Sequence, residues 1–423
     1  MVDLKDPDLD AQLRLVLAGA GLEPVTVPAQ DPARVSLGQA LMFDRLLSGN
    51  RDIACATCHH PRHQTGDGLS LSIGTGGAGL GPGRALGAGK PFIPRNANPV
   101  FNLGAAEVMF WDGRVRGNPT QGLETPAGAQ LPAGLTSALA AQAMFPVTSR
   151  DEMRGQAGDL AVDGSANELA ALSDDDLVGI WDALAARLRA NPEYVRLFQA
   201  AYPDLQPAQI GFQHAANAIA AFEIDQLTRL DSPFDRYLAG ENGALSVAQK
   251  RGALLFYGRA RCAECHRGGL FSDFEFHNVG APQVGPGKGA DAPLDLGLAG
   301  RTGAAADRFR FRTAPLRNVA LTGPWMHSGG YTTLAAAVRH FGDPARRIQD
   351  YDREQLGPRL QGQVHNDEAV AAGLLANLDP ILAQPSPLSE AEVEDVVAFL
   401  ESLSDPRGPP EAPPAVPSGL PVD

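Results

Sequence analysis

The sequence predicts a mainly α chain in which two similar small units are joined by long irregular loops. Three observations predict it. Apolar residues recur at helical spacing in several segments. Alternating strand patterns are scarce. One short arrangement of cysteines and a histidine occurs twice, each time behind a similar apolar segment. The chain has 423 residues, 44% apolar and 20% charged, which is ordinary for a globular protein. That length predicts two or three domains.

Residues 1–35 read as an N-terminal extension. Met1-Val2-Asp3-Leu4-Lys5-Asp6 has no basic region, and the apolar stretch from Leu13 to Leu22 is interrupted by Arg14, so no secretory signal is legible. Leu37-Gly38-Gln39-Ala40-Leu41-Met42-Phe43 predicts a helix, and a glycine-rich loop covers residues 74–91. Leu177, Ile180, Trp181, Leu184 and Leu188 lie on one helical face. The first unit is expected over 36–231, with the split falling near Ser232–Asn242, and the second over 243–404. Arg251-Gly252-Ala253-Leu254-Leu255-Phe256 repeats the first apolar segment, in a helix opened by a capping box of Ser246 with Gln249. Gly280–Gly303 reads as a loop. Ser389 with Glu392 caps a last helix whose stripe is Val393, Val396, Val397, Leu400 and Leu403. Residues 405–423 hold seven prolines in nineteen residues and are expected to be a disordered tail.

The formal charge of −14 argues against nucleic acid or anionic lipid as a partner and fits a basic protein. No run of 18 apolar residues exists, so no membrane span is expected. The four cysteines are too few for a disulfide scaffold. They stand as Cys55-Ala56-Thr57-Cys58-His59 and Cys262-Ala263-Glu264-Cys265-His266. C-x-x-C-H is the attachment signature of a c-type haem: two thiols reach one edge of the porphyrin, and the adjacent histidine ligates the iron. Zinc or redox dithiols are the alternatives. A redox pair needs no trailing histidine, and a zinc ribbon places its pairs much closer together. Both pairs are therefore expected to carry covalent haem, with His59 and His266 on the irons, in two cytochrome-c-like domains. Covalent haem implies assembly outside the cytoplasm, so a periplasmic location is expected, the signal having been removed.

Further motifs stand between and around the two pairs. They are Leu47-Ser48-Gly49-Asn50, Phe110-Trp111-Asp112-Gly113-Arg114, Ser232-Pro233-Phe234-Asp235-Arg236-Tyr237, Phe276-His277-Asn278-Val279-Gly280 and Phe311-Arg312-Thr313-Ala314-Pro315-Leu316-Arg317-Asn318. In this order they resemble the bacterial di-haem cytochrome c peroxidase family, which includes the MauG-type protein-modifying oxidases. The resemblance runs from about residue 36 to residue 403. It implies that the N-terminal haem splits hydrogen peroxide through high-valent iron, that the C-terminal haem relays electrons, and that a tryptophan, matched by Trp111, lies between them. It also implies a glutamine and a glutamate ten positions apart that orient peroxide and move its proton, matched by Gln142 and Glu152. The longer stretch between Trp111 and Gln142 is expected to shape access.

Two departures follow from the same resemblance. The loop Gly66–Gly87 contains no histidine to block the first iron, so that haem is expected to be open as isolated. The distal ligand of the second haem, methionine or tyrosine in the family, falls on Phe341, which cannot ligate. Met326 or His340 are the candidate substitutes. The family's calcium matches Asn96, Thr322 and Pro324, oxygen donors that suit the ion. His277 and His327 are expected to hold propionates or backbone. The expected partners are hydrogen peroxide and a small cytochrome c or cupredoxin, or else a protein substrate whose Trp or Tyr is oxidised. A homodimer is consistent with the family. A passive electron carrier is the third reading, and it would need no acid–base pair. Tyr194, Tyr202 and Trp325 read as surface aromatics that could carry holes.

Overall fold

The computed structural model describes residues 9–423, so residues 1–8 of the N-terminal extension lie outside the described part. The chain is mainly α-helical, with long irregular connections. Its strands are short. The longest group is a three-stranded antiparallel sheet of Val108–Met109, Val115–Asn118 and Gly122–Glu124, in which Arg116 stands opposite Val108 and Glu124.

Two helix pairs organise the fold. The Pro32–Phe43 helix crosses the Phe212–Gln226 helix, and the Val247–Tyr257 helix crosses the Glu390–Glu401 helix. Asp31 caps the first of these helices by accepting from Ala33 N and Arg34 N, with Pro32 at its first position. The expected capping boxes at Ser246 with Gln249 and at Ser389 with Glu392 are both formed. Each crossing is made at a glycine. A Cβ on Gly38 would lie 1.9 Å from Ala218 O, and one on Gly252 would lie 1.8 Å from Asp395 O. The weak sequence repeat is therefore a structural one: each unit closes two helix backbones against each other where no side chain fits. Gly38→Ala and Gly252→Ala are each expected to destabilise their own unit by about 1–3 kcal/mol, as overpacking does. Denaturation followed by circular dichroism checks this, and an unchanged midpoint would show that the helices can move apart freely.

The first core gathers Leu37, Leu41, Phe43, Leu184, Leu188, Phe198, Phe222 and their neighbours. The second gathers Phe234, Tyr237, Phe256, Phe271, Val396 and Phe399. Of the predicted stripes, Ile180, Trp181, Leu184 and Leu188 are buried, as are Val393, Val396, Leu400 and Leu403. Val397 is only half-buried, and Phe399 takes the inward position instead. The predicted split is occupied by the Pro233–Leu238 helix, whose Phe234 and Tyr237 are buried in the second core.

The two ends of the described chain pack on opposite units. The Leu9–Gly19 helix puts Leu13 and Leu17 into the second core, and Asp10 accepts from Lys250 and Tyr237. The tail 405–423, expected to be disordered, instead packs along the first unit. Val416 is buried in the first core, Asn191 Nδ2 donates to Pro417 O, and Ser418 donates to Asp44. The proline-rich composition misled because backbone polar groups here find partners on the folded unit, while proline has little conformational freedom to lose on docking. The Asp423 carboxylate accepts from Ala54 N at 3.1 Å and from Thr57 Oγ1, and pairs with Arg45. It caps the Cys55–Cys58 turn where Ala54 has no side chain to do so. Asp423→Ala is expected to cost about 1–3 kcal/mol, because the buried Thr57 hydroxyl and Arg45 lose their acceptor, while Ala54 N keeps Thr57 Oγ1. Hydrogen exchange at Ala54 and Thr57 checks it, and unaltered protection would count against the cap.

Among the described residues no helix is long and apolar enough to cross a membrane.

Candidate active site

Two cavities lie in the units, and each has one C-x-x-C-H motif in its wall. Cys55, Cys58 and His59 line the first, and Cys262, Cys265 and His266 line the second. The two histidines are prepared in the same way. His59 Nδ1–H donates to Thr65 O at 3.2 Å, and His266 Nδ1–H donates to Phe271 O at 2.9 Å. This bond favours the tautomer with its proton on Nδ1, in which Nε2 can serve as a ligand. Burial lowers the pKa of both rings and keeps them neutral. Burial also pushes the Cys55 and Cys262 thiols up to about 12. A redox dithiol needs a readily formed thiolate, so thiols raised in this way disfavour that reading. Two thiols and an imidazole along one wall of each cavity fit a haem.

Asn96, Trp111 and Arg312 line both cavities. Trp111 is 9% exposed, and its Nε1–H donates to Asn96 O at 3.0 Å. Arg312 N donates to Trp111 O at 2.8 Å. The ring is thus held from both its polar edge and its backbone.

Gln142 and Glu152 line the first cavity together with the haem motif. Gln142 lies on the Ala138–Ala143 helix, capped by Ser137. Glu152 lies on a π-turn, Arg150–Arg154, an element often found at functional sites. The turn is anchored from outside. Thr75 N donates to Glu152 O, Gly49 N donates to Met153 O, and buried Arg154 donates to the carbonyls of Leu169, Leu172 and Ser173. Gly74 is required beside it, because a Cβ there would lie 1.8 Å from Asp151 O. His59 is the one histidine lining the first cavity among the described residues. His60 accepts from Arg62 N, and His63 sits against Gly81, so neither reaches the cavity.

In the second cavity Phe341 lines the wall with Leu334, Ala337 and Val338. His340 does not. It is fully buried behind this wall, where its Nδ1 accepts from Tyr331 OH at 2.8 Å and its Nε2–H donates to Val279 O at 2.7 Å. With both nitrogens engaged, it is not available as the distal ligand. Met326 lines the cavity and also packs against the cluster of Leu71, Tyr331 and Tyr351. Asn96, Thr322 and Pro324 all line this cavity. Asn96 Nδ2 donates to Leu69 O, which leaves its Oδ1 as an acceptor. His327 is buried, stacked on Phe311 at 3.7 Å, and lowered by burial to about 4. His277 Nδ1 and Nε2 bridge Asp379 and Asp273, which raises its pKa. Tyr194, read as a surface aromatic, is buried with its hydroxyl donating to Asp44.

Residues 32–243 match a family model described as di-haem cytochrome c peroxidase. The chain belongs to this family. It is 31% identical to the methylamine utilization protein MauG of Methylorubrum extorquens, over 88% of this chain and 78% of the relative. It is also 31% identical to the cytochrome c551 peroxidase of Pseudomonas aeruginosa, over 87% of this chain and 78% of the relative. Among solved structures it resembles a MauG-like protein associated with microbial copper homeostasis, with a TM-score of 0.60 and 26% identity, covering 91% of this chain and 94% of that one. As a member of the di-haem peroxidase family the chain is an oxidoreductase, and the family implies two haems.

The sequence reading missed several residues of this di-haem site. Lys288, Arg114 and Arg312 line the first cavity, a cationic set that suits carboxylates such as haem propionates. Burial and the neighbouring charges of Arg114 and Arg95 bring Lys288 down to about 8. Arg114 and Arg312 stand inside quoted motifs, but Lys288 sits in a glycine-rich loop with no signal. Behind Trp111, buried Arg95 donates to Asp112 at 2.6 Å and to Asp295 at 2.6 and 2.8 Å. Burial opposes ionisation of both acids, yet Arg95 outweighs it and holds both carboxyls below the usual range. Folded pKa values so depressed contribute stability above about pH 4, and that stability is lost as pH falls further. The melting temperature should therefore drop steeply between about pH 5 and pH 2, and less steeply in an Asp112→Asn/Asp295→Asn variant. Equal slopes would remove the triad from acid stability.

Proposed function

We propose that this chain is a periplasmic peroxidase that reduces hydrogen peroxide to water at its first haem site. Two electrons and two protons convert each peroxide to two waters, and the electrons come from a small cytochrome c or cupredoxin by way of the second site. The observation that carries this reading is the placement of Gln142 and Glu152 on the cavity wall that holds the first C-x-x-C-H motif, with Trp111 lining that cavity and the next.

Bound haem supplies the redox chemistry at iron. His59 and His266 hold the irons, and Cys55, Cys58, Cys262 and Cys265 the porphyrin edges. Gln142 orients peroxide through its side-chain amide. The Glu152 carboxylate takes the proton from the near oxygen and returns it to the far one. Trp111 passes charge between the two sites. Asn96, Thr322 and Pro324 are the residues that would hold a calcium ion, which takes oxygen donors.

A second reading is favoured by Phe341. With Phe341 where the family has methionine, this wall offers no thioether to raise the potential of a haem that would bind here, which suits a MauG-like oxidase acting on Trp or Tyr of a partner protein. Steady-state turnover of peroxide with reduced cytochrome c or cupredoxin supports the peroxidase. Reaction with peroxide that oxidises a partner's aromatic residues, without donor turnover, supports the oxidase. No reaction with peroxide sinks both and leaves a passive carrier.

A further inference from the structure

We propose that Glu223 is the redox-linked proton site of the first cavity. Its carboxyl carries a proton while the haem bound there is ferrous and releases that proton when the haem is oxidised to ferric. The proposal rests on the reading that this cavity holds a haem.

Glu223 lies on the Phe212–Gln226 helix, four positions after Ile219, so the two share a face. Both line the first cavity, while Ala218 and Phe222 on the neighbouring face close onto Gly38. Glu223 is 6% exposed, and its Oε2 has no hydrogen-bond partner. An unpartnered buried carboxyl is costly, and native structures keep such groups where they have work to do. Burial alone raises its pKa to about 8, with no compensating charge.

The surrounding elements explain that isolation. The Ala138–Ala143 helix and the turn Leu103–Ala105 carry no charge toward it. On the Pro32–Phe43 helix, Arg34 donates to Ala201 O, and Asp44 just beyond accepts from Tyr194 and Ser418. On the Leu177–Ala190 helix, Arg187 pairs with Glu168, Arg189 donates to Ile210 O, and Asp182 is exposed. The other titratable or charged residues of the cavity are Cys55, Cys58, His59, Arg95, Arg114, Glu152, Lys288 and Arg312. Of these, Cys55 is the group on which Glu223 acts electrostatically, and thioether formation makes it neutral.

A positive charge added to this cavity therefore favours ionisation of Glu223 directly. Removing one electron adds that charge. Loss of the carboxyl proton to solvent cancels it, so one proton leaves with one electron and the net charge of the cavity is unchanged. Glu152 is the proton carrier for peroxide, whereas Glu223 answers to the charge of the haem. By linkage, the same coupling makes the haem easier to oxidise as pH rises.

The test is a spectroelectrochemical titration of the haem-loaded protein between about pH 6 and pH 9, the range around the raised carboxyl. The midpoint potential of the first haem should fall with pH in the wild type, with a slope approaching one proton per electron, and become nearly flat in Glu223→Gln. The redox infrared difference spectrum should show the C=O stretch of a protonated carboxyl that Glu223→Gln removes and Glu152→Gln retains. A flat wild-type profile, or an undiminished slope in Glu223→Gln, overturns the proposal. So does a slope abolished by Lys288→Met and kept in Glu223→Gln. A wild-type protein with no haem on Cys55 and Cys58 overturns instead the reading on which the proposal rests.

Discussion

Glu152→Gln is expected to slow the reaction of the ferric protein with hydrogen peroxide by about 10²–10⁴-fold, the usual weight of a positioned proton carrier. Glutamine keeps the size of the side chain and its capacity to hydrogen-bond, but it cannot take and return a proton. The anchors of the turn are backbone groups and Arg154, none of which depends on the Glu152 carboxylate, so the fold is expected to survive the change. Gln142→Leu should cost less, since orientation without proton transfer is lost. Stopped-flow mixing with peroxide checks both, with the bimolecular rate constant as the readout. An unchanged rate constant in Glu152→Gln removes this residue from the mechanism. Equal losses in the two variants would mean that Glu152 acts as a positioning group.

The difference between what was legible in the sequence and what was not follows from chain separation. Both C-x-x-C-H motifs, the Gln142–Glu152 pair and the Phe-Trp-Asp-Gly-Arg motif are short-range patterns, and the structure brings them to two cavity walls. Arg95 is different. Its partners Asp112 and Asp295 lie 17 and 200 positions away, so no window of sequence contains the triad. Glu223 stood in none of the quoted motifs, and its place on the first cavity wall follows only from how the Phe212–Gln226 helix is packed. His340 shows the same limit. Its position beside Phe341 suggested a ligand, but Tyr331 and Val279 engage both its nitrogens first. Gly38 and Gly252 stood in the repeated segment, yet their role appears only when the crossing helices Phe212–Gln226 and Glu390–Glu401 are placed against them.

Phe341→Met is expected to change the spin state and potential of the second haem. In the present protein the cavity wall formed by Leu334, Ala337, Val338 and Phe341 offers no ligating atom, and His340 is engaged elsewhere. The second iron should therefore take no protein ligand from this helix and show a high-spin component in its ferric resonance spectrum. A methionine at 341 has nearly the volume of phenylalanine and enters an apolar wall, so its packing cost is expected to stay below about 1.5 kcal/mol. Its effect is then electronic. Thioether ligation should make the iron low-spin and raise its potential by a sizeable part of the roughly 0.8 V that axial ligands span. Electron uptake from a reduced cytochrome c should quicken, while a tyrosine at the same position should give ligation without the rise in potential. Paramagnetic resonance and a potentiometric titration of the two variants check this. A wild-type second haem that is already low-spin, and becomes high-spin in Met326→Leu, would place the ligand at Met326 and remove the open face. If that haem stays high-spin in Phe341→Met, the wall at 341 is not the distal face, and Phe341 does not set the difference between peroxidase and oxidase.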